Sequence, residues 1–121
     1  MKSWNVVVLG ATGAVGRAML ECLESTGLSI RDLRLLAGAR SAGRRVRALG
    51  RELVVEPPTK EAFEGADLAL FSAGAAASEV WAPVGVAEGA WVIDNSSRWR
   101  MAPDVPLVVP EVNASAIPEK P

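Results

Sequence analysis

Asn5-Val-Val-Val-Leu-Gly10-Ala-Thr-Gly13-Ala-Val-Gly16 decides the reading of this chain: an apolar run breaks into three glycines at three-residue spacing and passes straight into a helical pattern. An apolar run of this length closed by glycine is the pattern of a buried strand. Gly10 allows a tight reversal, Gly13 keeps a β-carbon out of the way of an approaching ligand, and Gly16 lets the helix lie close against its strand. The first N–H groups of such a helix have no intrahelical partner and lie at the positive end of its dipole, so the turn suits a pyrophosphate. The spacing is G-x-x-G-x-x-G, with Thr12 where a dinucleotide fingerprint usually has its middle glycine. Taken alone, the motif fits a bare tight connection as well as a phosphate cradle.

Composition bounds what such a cradle could serve. With 121 residues, half of them apolar and 22% charged, the chain is long enough for one packed domain. A net charge of −1 speaks against nucleic acid or an anionic membrane as the main partner. Five arginines crowd between Arg40 and Arg51, and solvated turn residues near a phosphate-bearing ligand account for them. No stretch approaches the roughly 20 apolar residues of a membrane span, and the first strand follows the N-terminus without a leader, so a cytoplasmic location is expected. The lone cysteine, Cys22, leaves no internal disulfide to form. Histidine, the commonest general base and metal ligand, is absent, and no metal site is expected.

Further along, Val15, Ala18, Met19, Cys22 and Leu23 predict an apolar face on a helix from Gly13 to about Glu24, with Cys22 packed inside it as an unreactive thiol. Gly27 closes that helix, and Leu33 to Ala37 reads as a second buried strand. Its end is informative, because an acidic residue there suits the ribose hydroxyls of NAD whereas a cation suits the extra phosphate of NADP. The turn is Gly38-Ala-Arg40-Ser41, with no acid, and Arg40 with the Ser41 hydroxyl can bind a phosphate by charge-assisted hydrogen bonds. Val46 to Val55 predicts two short strands about Gly50, the second entering the sheet region. Lys60 to Glu64 allows a brief helix. Asp67 to Phe71 is the next buried run, ending in Ser72-Ala73-Gly74, small residues that let a ligand near the backbone. A helix from about Ala77 to Ala87 follows, weakened by Pro83 and Gly85, then strands at Trp91 to Asp94 and Leu107 to Val109. Strands alternating with helices at this spacing imply an α/β fold, a doubly wound parallel sheet of the Rossmann-like kind, with its ligand where strand order reverses.

Six blocks in order resemble one family: Gly10-Ala-Thr-Gly-Ala-Val-Gly16, Leu35-Leu-Ala-Gly-Ala-Arg40-Ser41-Ala-Gly43, Phe63-Glu-Gly65, Leu70-Phe-Ser-Ala-Gly74, Val92-Ile-Asp-Asn-Ser-Ser97 and Val105-Pro-Leu-Val-Val-Pro-Glu-Val-Asn113. Together they are similar to the amino-terminal cofactor-binding part of aspartate-β-semialdehyde dehydrogenases. The resemblance implies an NADP-dependent oxidoreductase of the aspartate pathway toward lysine, threonine and methionine. Such enzymes interconvert aspartyl phosphate and aspartate semialdehyde through a cysteine thioester that NADPH reduces, and act as homodimers or larger assemblies. Carried over by position, Gly10, Thr12, Gly13, Ala14, Val15 and Gly16 form the pyrophosphate loop and Arg40 with Ser41 holds the 2′-phosphate. Ser72, Ala73, Gly74 and Asn95 line the cofactor cleft, and Arg100 binds the substrate's phosphate.

Two departures qualify the match. Gly38 stands where members often have serine, which removes one hydroxyl from the 2′-phosphate site. The family's Asn-Cys nucleophile motif lies downstream of the Pro-Glu-Val-Asn113 block, and neither it nor the acid–base histidine occurs in these residues. Residues 1–121 are therefore expected to be a cofactor-binding domain that binds NADP(H) without turnover. N-acetyl-γ-glutamyl-phosphate reductase and a non-catalytic NADP-sensing or interaction module remain alternatives. A short-chain dehydrogenase is excluded by the absence of tyrosine. Trp4, Trp81, Trp91 and Trp99 are more aromatic bulk than a small sheet needs, and an apolar patch prone to self-association is expected.

Overall fold

The computed structural model describes residues 2–99, 102–108 and 110–121. Four parallel strands form the central sheet: β1 (Trp4–Leu9), β2 (Ile30–Leu36), β5 (Leu68–Phe71) and β6 (Trp91–Asp94), in the order β2-β1-β5-β6. Between β2 and β5, β3 (Arg45–Ala48) and β4 (Arg51–Val54) make an antiparallel hairpin. Helix α1 (Ala14–Ser25) follows β1, and α2 (Ala75–Ala87) joins β5 to β6. No helix among the described residues is long and apolar enough to cross a membrane.

The unbroken apolar run of β1 is explained by burial on both sides, as parallel sheets require. Val6 and Val8 face Leu33, Leu35, Leu20 and Leu23, whereas Val7 and Leu9 face Leu36, Ala69, Phe71 and Ala82. Thus α1 and α2 cover opposite faces, and strand order reverses between β1 and β5. The doubly wound reading of the sequence holds.

Each helix meets the sheet through residues spaced i, i+4 and i+7: Gly16, Leu20 and Leu23 in α1, and Ser78, Ala82 and Gly85 in α2. A β-carbon on Gly16 would lie 2.0 Å from the Gly10 carbonyl oxygen, so this side of α1 must face the strand. That close approach fixes the helix's rotation and corrects the expected face. Leu23 is buried, but Val15, Ala18 and Cys22 are exposed, and they line an open apolar hollow beside Met19 and Leu70. Cys22 is therefore not the packed core thiol that the apolar stripe suggested. Gly85 has a similar role to Gly16 in α2, where an added β-carbon would come within 3.0 Å of Val92. The helix continues through Pro83 and starts two residues before the expected Ala77.

Two further expectations change. The hairpin forms about Leu49 and Gly50, both at positive φ, but β4 stays out of the main sheet: the Arg51 guanidinium donates to the Ile30 and Arg31 carbonyls of β2, and Glu56, just after β4, bridges Leu36. Its apolar side serves instead as a cover for the α1 face, through Val46, Ala48, Leu49 and Leu53. Leu107 and Val108 take no strand, being set between Pro106 and Pro110, and Val109 lies outside the described residues. Proline on either side removes ladder donors. A short α3 (Pro110–Asn113) follows.

One tie at the sheet's edge was not read from the sequence. Arg34 on β2 donates to the carbonyls of Ala62 and Glu64 at 2.7 and 2.9 Å and pairs with Asp32 at 2.9 Å. It thereby pins the 3₁₀ turn Glu61–Phe63 against the strand, which seats Phe63 beneath Phe71 and Trp81.

Candidate functional site

The carboxyl ends of all four parallel strands open on one edge of the sheet, and the described residues expected to meet the cofactor lie in the loops there or, for Ala14, Val15 and Gly16, in the first turn of α1. The first loop begins as the amides of Gly10 and Ala11 both donate to the Leu36 carbonyl, at 2.8 and 3.3 Å, which ties the turn to β2. Gly10, at φ 89°, faces Ser72 so closely that an added β-carbon would meet its backbone at 2.8 Å. Ser72 in turn donates its amide to Leu9 at 2.9 Å and its hydroxyl to Leu9 and Gly10 at 3.4 and 3.3 Å. These contacts hold the loops after β1 and β5 against each other at the point of strand reversal.

Across the same edge, the Thr12 hydroxyl donates to Ser41 Oγ at 3.0 Å, joining the loop after β1 to the loop after β2. Ser41 and Ala42 fold back through their amides onto the Gly38 carbonyl, at 2.9 and 3.1 Å, and Arg40 is exposed at the tip. Its guanidinium makes no hydrogen bond or ion pair among the described residues. Around Gly38 there is open space, so the side chain that the resemblance expects there would fit.

Helix α1 opens at Gly13 with no side-chain cap and no acidic residue in its first turn. Among the described residues, nothing accepts from the amides of Thr12, Ala14, Val15 or Gly16, while that of Gly13 reaches Gly10 at 3.3 Å. Helix starts of this kind are normally satisfied by a capping side chain, water or an anion. A β-carbon on Gly13 would meet nothing closer than the Gly10 oxygen at 3.7 Å, so the space beside this glycine is open. An anion with several oxygens can take up that donor set. The groups present are those a dinucleotide's phosphates require, with a cation one strand away.

On the far side, Asn95 donates its amide to Phe71 at 3.3 Å, and its exposed side chain makes no hydrogen bond among the described residues. Ala73 and Gly74 are likewise exposed, before the first turn of α2. Arg100 lies outside the described residues. Sequence reasoning missed the side chains beneath this loop: Ser78, Asp94, Ser96 and Trp99, which bond to one another. Asp94 directly before Asn95 and Ser96 was the visible signal, since aspartate commonly bonds the backbone two residues on.

A family model described as the NAD-binding domain of semialdehyde dehydrogenase matches residues 5–120. The chain is 50% identical over 115 residues to aspartate-semialdehyde dehydrogenase from Bacillus subtilis, a match covering 95% of this chain and 33% of that protein. Among solved structures, aspartate semialdehyde dehydrogenase II from Vibrio cholerae complexed with ASA superposes with a TM-score of 0.89 at 43% identity, covering 95% of this chain and 38% of the other. The Candida albicans enzyme with NADP gives 0.77 at 25% identity, over 95% and 36%. The chain spans about a third of the length of the curated relatives it matches.

Proposed function

The chain belongs to the semialdehyde dehydrogenase NAD-binding domain family, and from that premise we propose that it is the NADP(H)-binding portion of an aspartate-semialdehyde dehydrogenase. That enzyme reductively dephosphorylates aspartyl phosphate to aspartate semialdehyde. The observation that carries the reading is the loop after β1: four amides without acceptors among the described residues, and glycine where a side chain would intrude.

In this reading Thr12, Gly13, Ala14 and Val15 hold the pyrophosphate, while Gly10 and Gly16 shape the loop by close backbone approach. Arg40 and Ser41 hold the 2′-phosphate, which favours NADP over NAD because the turn that follows β2, Gly38-Ala-Arg40-Ser41, offers a cation and a hydroxyl and no acid. Ser72, Ala73, Gly74 and Asn95 line the other half of the cleft, and Arg100 takes the substrate's phosphate. Bound NADPH supplies the hydride that converts an acyl group to an aldehyde. Residues 1–121 act as a cofactor domain, with the substrate handled by a parent enzyme that works as a homodimer or larger assembly.

These residues alone bind the cofactor and turn over nothing. Cys22, the one thiol in the sequence, sits about 12 Å along α1 from Ala14 and the loops. It has neither histidine nor phosphate-binding loop beside it.

Titration of the chain with NADPH and NADH, followed by nicotinamide fluorescence, tests the reading beside an assay of semialdehyde oxidation in the presence of phosphate. Saturable binding that is tighter for NADPH, without turnover, is expected. Failure to bind either nucleotide would overturn the cofactor assignment, and turnover by the pure chain would overturn the statement about activity.

A further inference from the structure

The hydrogen bonds beneath the loop after β6 form a chain whose direction is fixed by chemistry. Trp99 Nε1–H can only donate, and it donates to Ser78 Oγ at 2.8 Å. The Asp94 carboxylate can only accept, so the Ser78 hydroxyl proton must point to Asp94 Oδ2, its other partner. Asp94 is then filled from the loop itself: Oδ1 accepts from the Ser96 amide and Oδ2 from the Ser96 hydroxyl, both at 2.8 Å. Arg98 lies 4.3 Å over the Trp99 ring and pairs with Glu79 of α2 at 3.3 Å.

Ser78 is the one buried polar residue among those described, at 1% exposure. Burial of a hydroxyl on the sheet-facing side of a helix is unfavourable unless both of its hydrogen-bonding capacities are met, and here both are. Its amide makes the first i→i−4 bond of α2, to the Gly74 carbonyl at 3.1 Å. The Ser78 side chain therefore ties α2, which begins directly after β5, to the end of β6 and the loop that follows it. Between the clamped Asp94 and Ser96, Asn95 is held with its amide side chain presented outward.

We infer that Ser78, Asp94 and Trp99 are positioning residues that fix the loop after β6 so that Asn95 meets the nicotinamide-bearing half of the dinucleotide. This rests on the cofactor reading above. A dinucleotide laid across the strand reversal, with its adenosine end at Arg40 and Ser41 over β2, places its other end over β5 and β6. The clamp acts on that end only.

Ser78→Ala removes the link and leaves Asp94 and Trp99 each short of one partner, whereas Trp99→Phe removes the terminal donor but keeps a ring under Arg98. Both variants are titrated with NADPH and with 2′,5′-ADP, which carries the adenosine-end phosphates and no nicotinamide, after thermal unfolding has shown that they fold. NADPH dissociation constants should rise about tenfold, as for the loss of one well-placed hydrogen bond, while those for 2′,5′-ADP stay within about twofold. Should Ser78→Ala fail to fold, Trp99→Phe carries the test. Equal weakening of both ligands would show a merely structural role and overturn the inference, as would unchanged NADPH binding. If the wild-type chain bound neither ligand, the dinucleotide reading would fall first and this inference with it.

Discussion

Substitution of Gly16 by alanine tests the loop after β1 at its tightest point. The new β-carbon would sit 2.0 Å from the Gly10 oxygen and 2.9 Å from the Ala11 α-carbon, about 1 Å inside the closest approach that real β-carbons show. Both obstacles are backbone, so no side chain can turn aside, and α1 must move away from β1. Overpacking of this kind costs about 1–3 kcal/mol, and the clash with a carbonyl oxygen belongs to the upper end. Alanine's helix propensity offsets roughly 1 kcal/mol of that. A net destabilisation of about 1–2 kcal/mol is expected, read as a fall in Tm on the order of 4–8 °C for a domain of this size. The outward shift of α1 also spreads the amides of Thr12, Ala14 and Val15, so NADPH affinity should fall by more than the stability change alone explains. Thermal unfolding and fluorescence titration measure the two effects separately. A variant as stable as the wild type with the same NADPH affinity would refute the account of how this loop is built.

Gly13→Ala should behave differently, because its β-carbon meets only the Gly10 oxygen, at an ordinary 3.7 Å: Tm should change by no more than about 1–2 °C, while a calorimetric titration shows NADPH binding weakened at least tenfold by a methyl group in the anion's space. Arg40→Gln should lower NADPH affinity by about 10- to 100-fold, the range for a lost charge-assisted hydrogen bond, and leave NADH within a factor of about two; competition between the two nucleotides checks this, and an unchanged preference would remove Arg40 from the 2′-phosphate site. The exposed apolar side of α1, with Val15 at 50% exposure next to Leu70 and, in register with it on β6, Ile93 at 56%, predicts concentration-dependent association of the isolated chain. Sedimentation velocity should show it weakened by Val15→Glu, and a strictly monomeric wild type at high concentration would contradict it.

The sequence alone was enough for what depends on local pattern. An apolar run closed by Gly10 is a buried strand wherever it packs, and β6 runs from Trp91 to Asp94 as its residues suggested. The spacing of Gly10, Gly13 and Gly16 announced the strand-to-helix turn, and the blocks from Gly10 to Asn113 were enough to identify the family. Decisions made by distant groups were hidden. Which side of α1 meets the sheet depended on the fit of Gly16 against one carbonyl oxygen, and that fit turned Cys22 outward against the pattern of its own helix. How the residues after Gly50 would meet the main sheet rested on distant groups, the Arg51 guanidinium taking the Ile30 and Arg31 carbonyls and Glu56 bridging Leu36. The chain from Trp99 through Ser78 to Asp94 joins residues 21 and 16 positions apart, and no periodicity records it. Periodicity reports which residues can be buried together on one element; the three-dimensional packing alone decides which faces, hydroxyls and carbonyls come within a hydrogen bond of one another.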